Sequence, residues 1–112
     1  MNIQSHTGNH FTTFTLSGRF DAVSAPSIEE AFNRVMEEGS LRFVVNLADL
    51  EYISSAGLRV LLATAKKLSK QNGKIVLFSL RKEVHNVLEI SGLLGIFPVA
   101  GDQATAETLV KE

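Results

Sequence analysis

A chain of 112 residues, 45% hydrophobic and 21% charged, has the length and balance of one soluble globular domain. A formal net charge of -1 and a sequence pI near 6.3 leave no basic excess with which to hold nucleic acid. Cysteine is absent, which excludes disulfides, thiolate nucleophiles and cysteine-based zinc sites, and no apolar run approaches the ~20 residues that span a bilayer.

The first eleven residues lack the charged and apolar regions of a signal peptide. The expectation is a single cytoplasmic domain over residues 1–112, with no membrane span and no direct nucleic-acid contact. Residues 2–6 read as an edge strand and residues 10–16 as its partner, with Thr12, Phe14 and Leu16 on one face and residues 7–9 as the turn. A helix follows, for which two starts compete. Ser24 ahead of Pro26 offers an N-cap, and Ser27 with Glu30 three residues on offers a capping box. Ile28, Ala31, Phe32, Val35 and Met36 keep the spacing of one buried face, and Gly39 closes the helix.

Residues 43–47 and 75–78 are short, nearly unbroken apolar runs, as expected of central strands buried on both faces. Residues 48–53 read as a connection, leading into a long helix over about 55–72 whose buried stripe is Leu58, Leu61, Leu62, Ala65 and Leu68. A strand, a long helix and a strand make a parallel crossover. A shorter helix over 82–90 turns Val84, Val87 and Leu88 inward and stops at Gly92. Residues 96–99 follow as a short edge strand containing Pro98, and a last helix runs from Asp102. The fold class is α/β: a small mixed sheet of four to five strands packed against about four helices.

Chemistry concentrates at Tyr52-Ile53-Ser54-Ser55-Ala56-Gly57-Leu58, where the long helix begins. A helix start leaves backbone N–H groups unpartnered and carries partial positive charge, so it tolerates an anion. With Ser54 as cap, its oxygen accepts from Ala56 or Gly57 and the Ser55 hydroxyl is free to point outward. Gly57 is wasteful in a helix interior but suits a first turn that another backbone approaches closely. On physics alone, two serines ahead of an apolar helix read as well, or better, as an ordinary cap.

Residues 45–62, which contain this stretch, resemble the signature of STAS domains, the anti-sigma factor antagonists of bacterial sporulation and stress regulation. The resemblance extends to Gly18-Arg19-Phe20-Asp21, to residues 73–80 and to Ile90-Ser91-Gly92-Leu93. It implies a switch with no catalytic activity and no cofactor. The unphosphorylated form binds an anti-sigma factor that is also a serine kinase with a histidine-kinase-like ATP site, and the sigma factor is released. The kinase phosphorylates a serine at the helix start, and a serine phosphatase restores the active form. Aligned on the motif, that serine is Ser55, with Ser54 as the alternative. Asp21 matches an acidic residue near the acceptor, and Ser54, Ala56, Gly57 and Arg59 complete the partner-binding set. Many members carry aspartate where Ser54 stands and a hydroxyl residue where Ala56 stands.

Other readings compete. A STAS accessory or scaffold subunit of a stress-signalling or transporter complex would keep the fold without sigma regulation. A serine hydrolase using Ser55 lacks the G-x-S-x-G elbow, and His6, His10 and His85 lie far from Ser55 in sequence. The histidines have no metal-ligand spacing, and His85 reads as exposed. Arg59, Lys66, Lys67 and Lys70 form a basic stripe that a solvated helix face explains, although Arg59, one turn from the serines, is suited to a partner or a phosphate.

Overall fold

The apolar runs dictate a sheet with helices on both faces. The computed structural model, which describes all residues from Met1 to Glu112, has that form. Its elements are β1 (Asn2–Thr7), β2 (Thr12–Phe20), α1 (Ala25–Glu37), β3 (Arg42–Ile53), α2 (Ser55–Lys70), β4 (Lys74–Phe78), α3 (Lys82–Ile90), β5 (Val99–Ala100) and α4 (Gln103–Lys111). The five strands lie in the order β1-β2-β3-β4-β5. β1 is antiparallel to β2, and the other pairings are parallel.

Alternation along the central strands sends side chains to both faces. Val45 and Leu77 join Phe14, Phe32 and Phe43 in the large core beneath α1, α2 and α3, whereas Val44 and Val76 meet Ala106 and Val110 of α4 on the opposite face. Phe14 sits edge-on to Phe32, with ring centroids 4.8 Å apart, and at the same distance from Phe43.

Several expectations need correction. β2 runs on to Phe20 instead of ending at Leu16, and β3 continues through residues 48–53, which read as a connection. The reason is a change of period. Register shifts between Thr15 and Ser17 and between Gly18 and Arg19 each put one extra β3 residue opposite β2. Leu47, Leu50 and Ile53 therefore all face the same core at a spacing of three, a pattern that alternation cannot reveal. α1 starts at Ala25, but the Ser24 side chain does not cap it. Ser24 Oγ donates to the Arg19 carbonyl at 2.9 Å. The capping box is absent too, because Ser27 Oγ donates to the Ser24 carbonyl.

α2 ends at Lys70, two residues early, with Asn72 in the left-handed region (φ 63°) and Gly73 N–H donating to the Leu68 carbonyl at 2.7 Å. Its buried face is rotated from the expected stripe: Val60 and Thr64 are fully covered, while Leu58, Leu62 and Ala65 are half-buried. The last strand is Val99–Ala100, starting three residues later than the expected 96–99; Ile96 is exposed and the Pro98 carbonyl accepts from Leu77 N–H. The helix from Asp102 is present, capped by the Asp102 carboxylate accepting from Thr105 N–H at 2.8 Å. His85 is half-buried on α3, where an exposed position was expected.

Candidate functional site

Parallel strands deliver their C-terminal ends to one edge of the sheet, and there β2 and β3 finish side by side. Arg19 is paired with Tyr52, and Phe20 with Ile53. Ser54 N–H donates to the Phe20 carbonyl at 2.9 Å, which ties the residue ahead of α2 to the end of β2. Ser54 has extended backbone, and its Oγ accepts from Gly57 N–H at a long 3.4 Å. It is the N-cap. Ser55 is then the first helical residue; it is exposed, and its hydroxyl engages no other residue.

Gly57 is what lets α2 start here. A Cβ at this position would stand 2.8 Å from both the Phe20 carbonyl oxygen and Ile53 Cγ1. Gly57 is buried against β2, and Ala56 beside it is half-buried. The two residues thus shape the first turn, while Ser55 presents it.

Asp21 directly follows the Phe20 anchor. Its Oδ1 accepts from Val23 N–H at 3.1 Å and from Ser24 N–H at 3.2 Å, folding the loop that enters α1. The Ser24 backbone N–H, followed by that of Val23, holds the carboxyl below its ordinary pKa; partial desolvation opposes them, and Ser24 Oγ and Arg19 assist. The carboxylate is therefore a fixed negative charge at neutral pH. The other oxygen, Oδ2, lies 3.9 Å from Arg19 Nε. Arg19 in turn places its guanidinium carbon 4.2 Å from the centroid of the Tyr52 ring. Both attachments are weak at this exposure.

Of the residues singled out in the sequence, Asp21, Ser54, Ser55, Ala56 and Gly57 converge on this junction. Arg59 lies four residues into the same helix, exposed and without a hydrogen bond or ion pair. The junction also contains residues to which the sequence assigned no role: Arg19 and Tyr52, present only as members of the quoted motifs, and Val23, which is 91% exposed. Only the β2–β3 register brings the first two together, and the bulges conceal that register. Lys67 donates to Asn33 Oδ1 at 3.1 Å on the helix flank. His6 pairs with Thr13 near the start of β2, away from the serines, and His85 lies on α3. Clefts of about 390 and 410 Å³ lie elsewhere, the first lined by residues 7–11 and 38–42 and the second along α1.

The molecule is thus a small α/β domain with an exposed, uncommitted serine hydroxyl on the surface at a helix start. A family model, the STAS domain, matches residues 2–106, and the chain belongs to that family. BtrV of Bordetella bronchiseptica, which carries the name of an anti-sigma factor antagonist, is 42% identical over 96 residues, covering 86% of this chain and 83% of BtrV. The crystal structure of an anti-sigma factor antagonist from Mycobacterium paratuberculosis superposes with a TM-score of 0.89 at 26% identity, covering 99% of this chain and 94% of that one. The Bacillus cell fate determinant SpoIIAA in its phosphorylated form shares the fold, with a TM-score of 0.75 at 17% identity, covering 96% of this chain and 99% of that one.

Proposed function

We propose that this chain is a cytoplasmic anti-sigma factor antagonist that works by partner switching, with Ser55 as its phosphorylation site. The observation that carries the reading is the division of labour between the serines: Ser54 is occupied as the cap, and Ser55 is exposed and free. The names of BtrV and of the mycobacterial relative support the role, and SpoIIAA is a protein of this fold with a phosphorylated form. Ser55 stands exposed on the first turn of a helix, a setting that suits a protein partner better than the concave, enclosed sites that small substrates use.

In the unmodified chain, Ser55 is neutral, and the partner, an anti-sigma factor with serine kinase activity, docks over the junction. Asp21, Ser54 and Arg59 border the contact, and Gly57 and Ala56 set the position of the helix beneath it. The kinase transfers the γ-phosphoryl group of ATP to Ser55 Oγ, ADP leaves, and the hydroxyl proton is released. The product carries about -1.5 to -2 charge at this site. At a helix N-terminus that charge is favourable by roughly 0.3–1 kcal/mol, so the fold tolerates it. Docking then requires the charge to be stripped of water, which weakens the complex and frees the partner. A serine phosphatase reverses the step. The chain itself needs no catalytic machinery for any of this.

The test is to incubate the chain with the kinase that co-purifies with it and ATP, and to locate the phosphate by mass spectrometry. Phosphate on Ser55, retained in Ser54→Ala and lost in Ser55→Ala, is the expected result. Modification of Ser55→Ala at the wild-type level, or no modification at all, removes the assignment. Ester hydrolysis that disappears in Ser55→Ala points to an enzyme instead.

A further inference from the structure

Two arginines belong to the elements that meet at Ser55, Arg19 on β2 and Arg59 on α2, and neither donates a hydrogen bond within the chain. Arg59 is four residues along the same helix, a spacing that brings side chains together on one face. Arg19 comes from a different element. Its backbone precedes Phe20, whose carbonyl receives Ser54 N–H at 2.9 Å. Arg19 and Ser55 therefore each lie one residue, about 3.8 Å of chain, from a single hydrogen bond. The Arg19 side chain is 62% exposed, and its Nε is 3.9 Å from Asp21 Oδ2, beyond hydrogen-bond length. It rests on the Tyr52 ring with its planar fork of donors unused.

We propose that Arg19 is the residue through which the domain senses a phosphoryl group on Ser55. In the unmodified chain, the guanidinium is parked between the Asp21 carboxylate and the face of Tyr52. A phosphoryl group on Ser55 offers the same guanidinium a doubly charged acceptor with several oxygens, which an arginine fork engages far better than a single distant carboxylate oxygen. Arg19 moves to the phosphate, the Tyr52 ring loses its cover, and Asp21 is left without its cation. Phosphorylation then changes three neighbouring features of the surface together: a charge appears on Ser55, an aromatic face opens at Tyr52, and the Asp21 carboxylate becomes unpaired. Asp21 cannot follow the arginine, because Val23 and Ser24 N–H hold its carboxylate in place.

The inference rests on Ser55 as the acceptor, so its test avoids the kinase. Phosphoserine is placed at position 55 during translation, and the phosphate is titrated by phosphorus NMR in otherwise wild-type protein and in Arg19→Gln, Arg19→Lys and Arg59→Gln. The guanidinium of Arg19 favours the dianion, so the second phosphate pKa is expected at least about half a unit lower in wild type than in Arg19→Gln. Arg19→Lys keeps part of that difference, and the Arg19 Nε–H resonance of wild type moves when position 55 carries phosphoserine instead of serine. An equal pKa in wild type and Arg19→Gln overturns the proposal, whether the shift is absent or belongs entirely to Arg59. An Arg19 resonance that does not move also overturns it. Kinase labelling of some other residue would remove the functional reading and leave this titration intact.

Discussion

The two ends of the sheet use the same kinds of residue in opposite ways. At the end where β2, β3 and β4 begin, the cations are committed. Arg42 donates to the Val110 carbonyl and Lys74 Nζ to the Leu109 carbonyl at 2.8 Å, so β3 and β4 hold the last turn of α4. The hydroxyls there are committed as well: Thr12 Oγ1 lies 2.6 Å from Ser40 Oγ and 3.0 Å from Thr7 Oγ1. At the other end, Arg19, Arg59 and Ser55 are exposed and make no hydrogen bond through their side chains. Both ends also contain a glycine pressed against a carbonyl, Gly73 on Leu41 and Gly57 on Phe20. The contrast is between Arg42, Lys74 and Thr12, whose side chains complete the fold, and Arg19, Arg59 and Ser55, whose side chains donate nothing to it.

The glycines break this comparison most severely. A Cβ on Gly73 would stand 2.2 Å from the Leu41 carbonyl oxygen, against 2.8 Å from the Phe20 oxygen for Gly57. Gly73→Ala is expected to lose roughly 3 kcal/mol or more of stability and Gly57→Ala about 1–3 kcal/mol, read from urea unfolding midpoints. Only Gly57→Ala should also slow phosphorylation of Ser55, measured at a temperature where both variants are folded. An equal loss of labelling in both variants would erase the functional distinction between the two ends.

Acid gives a smaller effect. The Asp21 and Asp102 carboxyls are both held below their ordinary pKa by backbone N–H groups. A lowered folded-state pKa means that each ionised carboxylate favours the folded state above the unfolded aspartate value of about 3.9. That contribution is lost as pH falls through the lower folded value. Asp21→Asn and Asp102→Asn keep an oxygen able to accept from the same N–H groups, so each variant should show a shallower fall in Tm between pH 5 and pH 3 than wild type. A slope unchanged from wild type in both variants contradicts the cause assigned to the shifts. The smallest effect is expected for Ser55→Asp. It should unfold within about 0.5 kcal/mol of wild type, as exposed substitutions do, yet bind the kinase more weakly. A large loss of stability would mean that Ser55 belongs with the committed residues of the other end.

The legible parts of this fold were those written in a single periodicity. The i, i+3, i+4 spacing of Ile28, Phe32 and Val35 located α1, and the apolar runs around Val45 and Leu77 located the two central strands. The Ser54 cap and the close approach at Gly57 were legible because capping and glycine crowding are local effects. The second half of β3 was not, because its two bulges replace a period of two with a spacing of three between Leu47, Leu50 and Ile53. Arg19 and Tyr52 were lost with it, since their contact depends on the register those bulges set. Ser24 misled for another reason: its side chain turns back to the Arg19 carbonyl, and the Asp21 carboxylate takes up the loop N–H groups.

The hydrogen bond from Ser54 N–H to the Phe20 carbonyl has a consequence for the phosphorylation proposed at Ser55. Ser55 sits in the first turn of a helix whose preceding residue is fastened to another strand, so it is not offered as a stretch of extended peptide. A kinase acting here must recognise a relief assembled from β2, β3 and α2. A nascent or unravelled copy, though it carries every residue of the motif, displays no such relief. The proposed switch would thereby be restricted to molecules that have finished folding, and foldedness would become a condition of being heard.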